Sequence, residues 1–262
     1  MSYIERMRPK PGMKVLITAG ASGIGAAIAK AYLEAGAQVA ICDVDEAALE
    51  RFTTENTSVR GILADVSDPA AVDRMFDTVE QAFGGLDMLI NNAGIAGPTG
   101  PVEDLELEDI RRTLDTDLLS QFIVIRRAVP LLKQSTNASI INIASVAGRL
   151  GYPLRTPYAA AKWGIVGLTA SLAKEMGPEQ IRVNAILPGP VLGPRMDGVI
   201  RDKATAEGRS IEEVGQEYVE NISLRRMVGP DDIAGMALFL GSPAGANIAG
   251  QALSVCGNVE TL

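Results

Sequence analysis

The chain has 262 residues, 47% of them hydrophobic, with 24 Lys and Arg against 32 Asp and Glu and a formal net charge of −8. That length is ample for one sizeable core, and an acidic chain without a basic run lacks the electrostatic footprint for gripping a nucleic-acid backbone. The sequence contains no histidine, which excludes His-ligated metals, Ser-His-Asp catalysis and imidazole proton shuttles.

Any chemistry must therefore rest on Tyr, Lys, Ser, Cys or carboxylates, and no metal site is expected. Cys42 and Cys256 stand far apart in no metal-ligand spacing and read as small apolar side chains in a reducing compartment. No apolar stretch approaches the roughly 20 residues of a membrane helix. The first residues, MSYIERMRPKPG, carry charge where a secretion leader needs its apolar segment, so a cytoplasmic protein without membrane partners is expected.

Strands are predicted at 13–18, 38–43, 59–63, 88–91, 139–144, 182–187 and 252–255. These are compact Val/Ile/Leu runs without polar alternation, the pattern of strands buried on both faces. Helical patterns lie between them at 24–34, 46–54, 70–83, 107–133, 158–176 and 231–240. Strand–helix alternation at this spacing implies right-handed crossovers. The expected fold is a single α/β Rossmann-type domain over 1–262, a doubly wound parallel sheet of about seven strands with helices on both faces. Residues 190–228 break the rhythm as a long charged insertion, expected to be a substrate loop or flap that is helical at 210–221.

The first strand runs into Thr18-Ala19-Gly20-Ala21-Ser22-Gly23-Ile24-Gly25, which opens a helix. Glycines permit tight turning and close approach of the backbone to a pyrophosphate, while the helix N-terminus offers free N–H groups and a positive dipole end. Asp43 ends the second strand, 18 residues beyond Gly25. A carboxylate there accepts hydrogen bonds from the adenosine ribose and repels a 2′-phosphate. Neither Ser22 nor Val44 offers a cation for such a phosphate, so NAD is expected over NADP. The rival reading is that Asp43 merely starts the turn Asp43-Val44-Asp45.

Four further motifs follow in order: Ala64-Asp65-Val66 after the third strand, Asn91-Asn92-Ala93-Gly94 at the fourth, Ser145 after the fifth, and Pro188-Gly189 at the sixth. Ser145 precedes Tyr158-Ala159-Ala160-Ala161-Lys162 by 13 residues. With these in place, nearly the whole chain resembles the classical short-chain dehydrogenase/reductase family. The resemblance implies cofactor contacts from Gly20, Ser22, Gly23, Ile24, Gly25, Asp43, Asp65, Val66, Asn92, Ala93, Gly94, Tyr158, Lys162, Pro188, Gly189 and Val191. It also implies a homotetramer built on the long helices.

The chemistry follows from spacing as well. Tyr158 and Lys162, four residues apart, share one face of a helix. A neighbouring ammonium stabilises a phenolate and readies the ring for general acid–base work. Ser145 can donate to a substrate oxygen that gains negative charge. The resemblance assigns the same roles: Tyr158 as proton donor and acceptor, Lys162 as ribose anchor and tuner, Ser145 as polarising hydroxyl.

Three positions depart from the family pattern. Ala19 stands where the first glycine is usual, which is tolerable if its φ is negative. Gly193 stands where a Thr would hold the carboxamide. Asp117 stands where an Asn usually completes the catalytic set; a carboxylate there would hold the Lys162 charge but partly cancel its pull on Tyr158. Asp117 is read either as still positioning water, with a pH-shifted profile, or as a substrate-specific or impairing change.

Arg149, Arg155 and Arg195 fall around the expected substrate mouth and suggest a carboxylate, phosphate or sulfonate group, the rival being solvated or locally paired cations. Trp163 is expected to pack. The leading reading is thus an NAD(H)-dependent oxidoreductase acting on a small polar, sugar-acid-like secondary alcohol or ketone. The alternative, carried by Asp117 and Gly193, is a dinucleotide-binding regulator with weakened turnover. A dehydratase or epimerase reading is disfavoured by the lack of a long C-terminal substrate region.

Overall fold

In a computed structural model, which describes residues 2–259 and 261–262, every predicted strand forms. They are β1 (Lys14–Thr18), β2 (Gln38–Asp43), β3 (Arg60–Leu63), β4 (Met88–Asn91), β5 (Ser139–Ile143), β6 (Arg182–Pro188) and β7 (Ala252–Val255). All pair in parallel, in the order 3-2-1-4-5-6-7. The chain leaves β1 toward β2 and β3, then returns to place β4 on the other side. That reversal opens a crevice at the carboxyl ends of β1 and β4.

The helices are α1 (Tyr3–Arg6), α2 (Gly23–Glu34), α3 (Glu46–Glu55), α4 (Pro69–Phe83), α5 (Leu107–Leu114), α6 (Ser120–Leu132), α7 (Thr156–Met176), α8 (Pro194–Glu207), α9 (Ile211–Glu220) and α10 (Pro230–Gly241). Their starts are written locally: Asp45 caps α3 through the Ala48 N–H at 2.9 Å, and Asp68 caps α4 through the Ala70 N–H at 2.9 Å ahead of Pro69. One core lies between the sheet and α4, α6 and α7, with Leu16, Val72, Phe76, Leu89, Val124, Leu132 and Ile140 buried in it. The other lies against α2, α3 and α10 and buries Val15, Ile17, Ile28, Tyr32, Ile41, Phe52, Ile90 and Ile233. Both sheet faces are therefore apolar, which is why the strands read as unbroken hydrophobic runs.

The structure departs from the sequence reading at the long fourth helix, at the insertion and at Trp163. The helix expected over 107–133 is interrupted by a π-helical turn, Asp115–Leu119, between α5 and α6. The insertion carries two helices, not one, because α8 starts at Pro194, a residue well suited to a first helical turn. Its base is closed by a parallel bridge between Val191 and Val228. Trp163 is 51% exposed and does not pack inside.

Candidate active site

The glycine turn is held by its neighbours. The Thr18 hydroxyl accepts the Asn92 and Ala93 N–H groups at 2.9 and 3.0 Å, tying the end of β1 to the end of β4. The Asn92 amide donates to the Thr18 and Ala19 carbonyls, each at 3.0 Å. Gly25 has no room for a side chain, since a Cβ would stand 2.2 Å from the Ala19 oxygen and 2.6 Å from Asn92 Nδ2. Ala19 itself has φ +50°, in the left-handed region, so the condition of a negative φ is not met. The methyl is carried at a strained position because the Asn92 clamp fixes the carbonyl there.

Ser22 enters α2 in extended conformation without a side-chain capping bond, leaving the first-turn N–H groups of α2 to serve an anion. Gly23 has φ +52°, and a Cβ there would meet nothing within 4 Å, so the space over the turn is open. Asp43, 8% exposed, accepts the Ala21 N–H through Oδ2 at 3.1 Å and the Asp45 N–H through Oδ1 at 3.1 Å. It both starts a turn and braces the glycine loop, and each oxygen keeps a lone pair for a ribose hydroxyl. Asp65 is exposed and spends Oδ1 on the Ser67 N–H and hydroxyl, at 2.8 and 2.7 Å. Cys42, beside Asp43, is buried and free, its thiol pushed up to about 12 chiefly by burial. These features fit a dinucleotide lying from Asp43 across the glycine turn.

Ser145 follows β5 and caps a short 3₁₀ turn, Val146–Gly148, its Oγ accepting the Ala147 N–H at 3.2 Å. That turn lies on α7: a Cβ at Gly148 would be 2.7 Å from the Lys162 carbonyl oxygen. Tyr158 and Lys162 do share a face of α7, with the ammonium 5.4 Å from the ring centroid. Lys162 is 4% exposed, and its Nζ donates to the Ile143 carbonyl at 3.3 Å.

The same ammonium lies 3.5 Å from Asp117 Oδ2, a carboxylate with 0% exposure. Asp117 Oδ1 accepts the Ile95 N–H at 2.7 Å, while Oδ2 has no hydrogen-bond partner among the described residues. The π-helical turn brings Asp117 here, and Gly164 on α7 lets it approach: a Cβ at Gly164 would sit 2.8 Å from Leu118 Cδ2. On the far side, Gly189 packs against Cys256, where a Cβ would be 2.8 Å from the cysteine Cβ.

The three arginines part company. Arg149 turns to the sheet edge and donates to the Ala252 carbonyl. Arg155 is 5% exposed, donating to the Tyr152 hydroxyl at 3.0 Å and to the Ala96 carbonyl. Arg149 thus stays exposed beside β7, whereas Arg155 is buried. Arg195, exposed at the start of α8, reaches the Gly94 carbonyl and is the one that stays at the mouth.

A family profile described as Enoyl-(Acyl carrier protein) reductase matches residues 18–258, which include every motif of this site. The chain belongs to the classical short-chain dehydrogenase/reductase family. It is 36% identical to the short chain dehydrogenase/reductase dpchG of Colletotrichum higginsianum over 255 residues, covering 94% of this chain and 93% of that one. It is also 36% identical to a trans-4-hydroxycyclohexanecarboxylate dehydrogenase of Sinomonas cyclohexanicum, covering 97% and 95% of the two chains. Among solved structures, an NAD⁺-bound xylitol dehydrogenase superposes with a TM-score of 0.90 at 28% identity, covering 94% of this chain and 98% of that one.

As a short-chain dehydrogenase/reductase, the protein is an oxidoreductase of a family that uses a nicotinamide dinucleotide. Sequence reasoning missed Thr18 and the Ile143 carbonyl, which hold the turn and the ammonium. A Thr at a strand end was the only available signal for the first, and backbone acceptors leave none.

Proposed function

We propose that this enzyme is NAD(H)-dependent and moves a hydride between nicotinamide and the carbinol or carbonyl carbon of a small polar, anionic secondary alcohol or ketone. The observation that carries the reading is the buried Lys162 ammonium, 5.4 Å from the Tyr158 ring on one face of α7. A nicotinamide, when bound, accepts or gives the hydride. In the direction of alcohol oxidation, Tyr158 takes the hydroxyl proton as general base. In reduction it returns that proton to the carbonyl oxygen. The Ser145 hydroxyl donates to the same oxygen as charge collects there. Lys162 steadies the phenolate, and the Ile143 carbonyl and Asp117 keep its side chain in place.

Asp43 supports NAD over NADP, because a carboxylate at the end of β2 repels a 2′-phosphate and the adjacent exposed residue is Val44, which offers no cation. Arg195 supports an anionic substrate, reaching the loop that carries Asn92, Ala93 and Gly94. The relative named for a hydroxycyclohexanecarboxylate supports the same class. An intact Ser145/Tyr158/Lys162 set weighs against a regulator without turnover. Leu119, Phe122 and Trp163 are apolar and exposed on the outer side of the π-helical turn, α6 and α7, which supports a homotetramer built there.

The test is NADH formation at 340 nm from hydroxy acids and matched neutral alcohols, with NAD⁺ and NADP⁺ in parallel. Hydroxy acids with NAD⁺ are expected to lead, and Arg195→Ala to raise KM for them alone. Neutral alcohols surpassing every acid, with Arg195→Ala silent, would remove the anionic substrate from the reading.

A further inference from the structure

The Arg155 guanidinium is buried between two tyrosine rings, 4.3 Å from the Tyr158 centroid and 4.7 Å from that of Tyr152. Among the described residues no carboxylate lies within ion-pair distance of it, and its Nε has no hydrogen-bond partner. A buried cation with no counter-ion is costly. Here it lies closer to the acid–base ring than Lys162 does, at 4.3 against 5.4 Å.

Charge counting gives the reason. The groups packed around Tyr158 are Arg155 and Lys162, the neutral Tyr152 with Tyr218 behind it, and Asp117 acting through Lys162. Tyr218 stays protonated, since burial first and then the Tyr152 hydroxyl push its phenol up. Lys162 and Asp117 cancel, so Arg155 alone leaves the cluster positive while Tyr158 is neutral. Loss of the Tyr158 proton then brings the cluster to zero. Without Arg155 the same step would leave a net negative charge on a cluster whose other charged members are buried.

We propose that Arg155 is a second cation of the acid–base site, a positioning residue that restores to Tyr158 the positive charge Asp117 takes from Lys162. It acts through the ring it stacks on, not through substrate. The inference rests on the acid–base role proposed for Tyr158, so its test includes a readout that needs no turnover.

Tyrosinate absorbance is titrated in the wild type, Arg155→Gln, Arg155→Lys, Asp117→Asn and the double variant, each against its own Tyr158→Phe partner. The difference isolates one ring. pH–rate profiles are recorded with a substrate found in the 340 nm panel. Arg155→Gln is expected to move the ring titration, and the limb of the rate profile that follows it, up by about 1–2 pH units. Arg155→Lys keeps the charge and stays near the wild type. Asp117→Asn moves both readouts down, and the double variant returns them close to the wild type. An unmoved titration in Arg155→Gln overturns the proposal, as does a rise in KM for anionic substrates with an unchanged profile. If Arg155→Gln fails to fold, Asp117→Asn tests the opposite side of the same charge balance, and the lack of a downward shift overturns the proposal. Shifted titrations without any nicotinamide-linked turnover would refute the proposed function while leaving the charge pairing intact.

Discussion

The Asp117–Lys162 pair should dominate the response of this protein to substitution at its centre. The two charged atoms lie 3.5 Å apart, with side-chain exposures of 0% and 4%. At an effective dielectric of about 20, their attraction is on the order of 5 kcal/mol. Lys162→Met removes the cation and leaves the Asp117 carboxylate buried, with the Ile95 N–H as its remaining partner. Such a broken pair typically costs about 3–5 kcal/mol, a fall in Tm on the order of 10 °C for a domain of this size. Adding Asp117→Asn removes the stranded charge, and the Asn oxygen can still accept from Ile95. The double variant should therefore regain about 2–3 kcal/mol of that loss, even though one more native group is gone. Urea denaturation of the wild type, both single variants and the double variant measures this coupling directly. A Lys162→Met variant within about 1 kcal/mol of the wild type, or a double variant no better than the single, would show that the pair is not held as an ion pair.

Three other outcomes follow from particular residues. Ala19→Gly relieves a left-handed backbone at φ +50°, and after the greater chain entropy of glycine is counted it should stabilise the fold by about 0.5–1 kcal/mol in the same urea assay. The Lys203 ammonium beside Glu217, and then Arg209, hold its carboxyl below the usual carboxylate range. The folded value thus lies below the unfolded one, so this contribution is complete above the ordinary value of 4.5 and is lost as pH falls below it. Unfolding free energy measured in urea from pH 7 downward should accordingly fall less steeply in Glu217→Gln, by under about 1 kcal/mol because the pair is partly exposed. Asp43→Ser with Val44→Arg should raise the NADP⁺ to NAD⁺ ratio of kcat/KM by about 100-fold, equivalent to roughly 3 kcal/mol of altered recognition.

The sheet was legible because strands buried on both faces show as apolar runs, and because glycine turns and strand-end residues carry strong local constraints. Tyr158 and Lys162 were legible for a similar reason: helical spacing alone puts them on one face. The π-helical turn at Asp115–Leu119 was hidden, since a local widening leaves the apolar pattern of the flanking helices almost intact. The φ of Ala19 depends on the distant Asn92, and nothing within the glycine motif records that clamp. Arg155 reads in the sequence as a cation at the substrate mouth because its burial is created by Tyr152, by Tyr158 and by Tyr218 on α9, a partner 60-odd residues further along the chain. Local pattern thus specified the scaffold, while long-range packing decided which charges became part of the site.

The most direct test compares Tyr158→Phe with the wild type in single-turnover NADH formation, with NADH affinity measured alongside by fluorescence. Loss of the hydroxyl should lower the chemical rate by about 10²–10⁴-fold while NADH binding stays within a factor of two or so. A Tyr158→Phe enzyme that turns over within tenfold of the wild type would contradict the assignment of this phenol as the proton carrier.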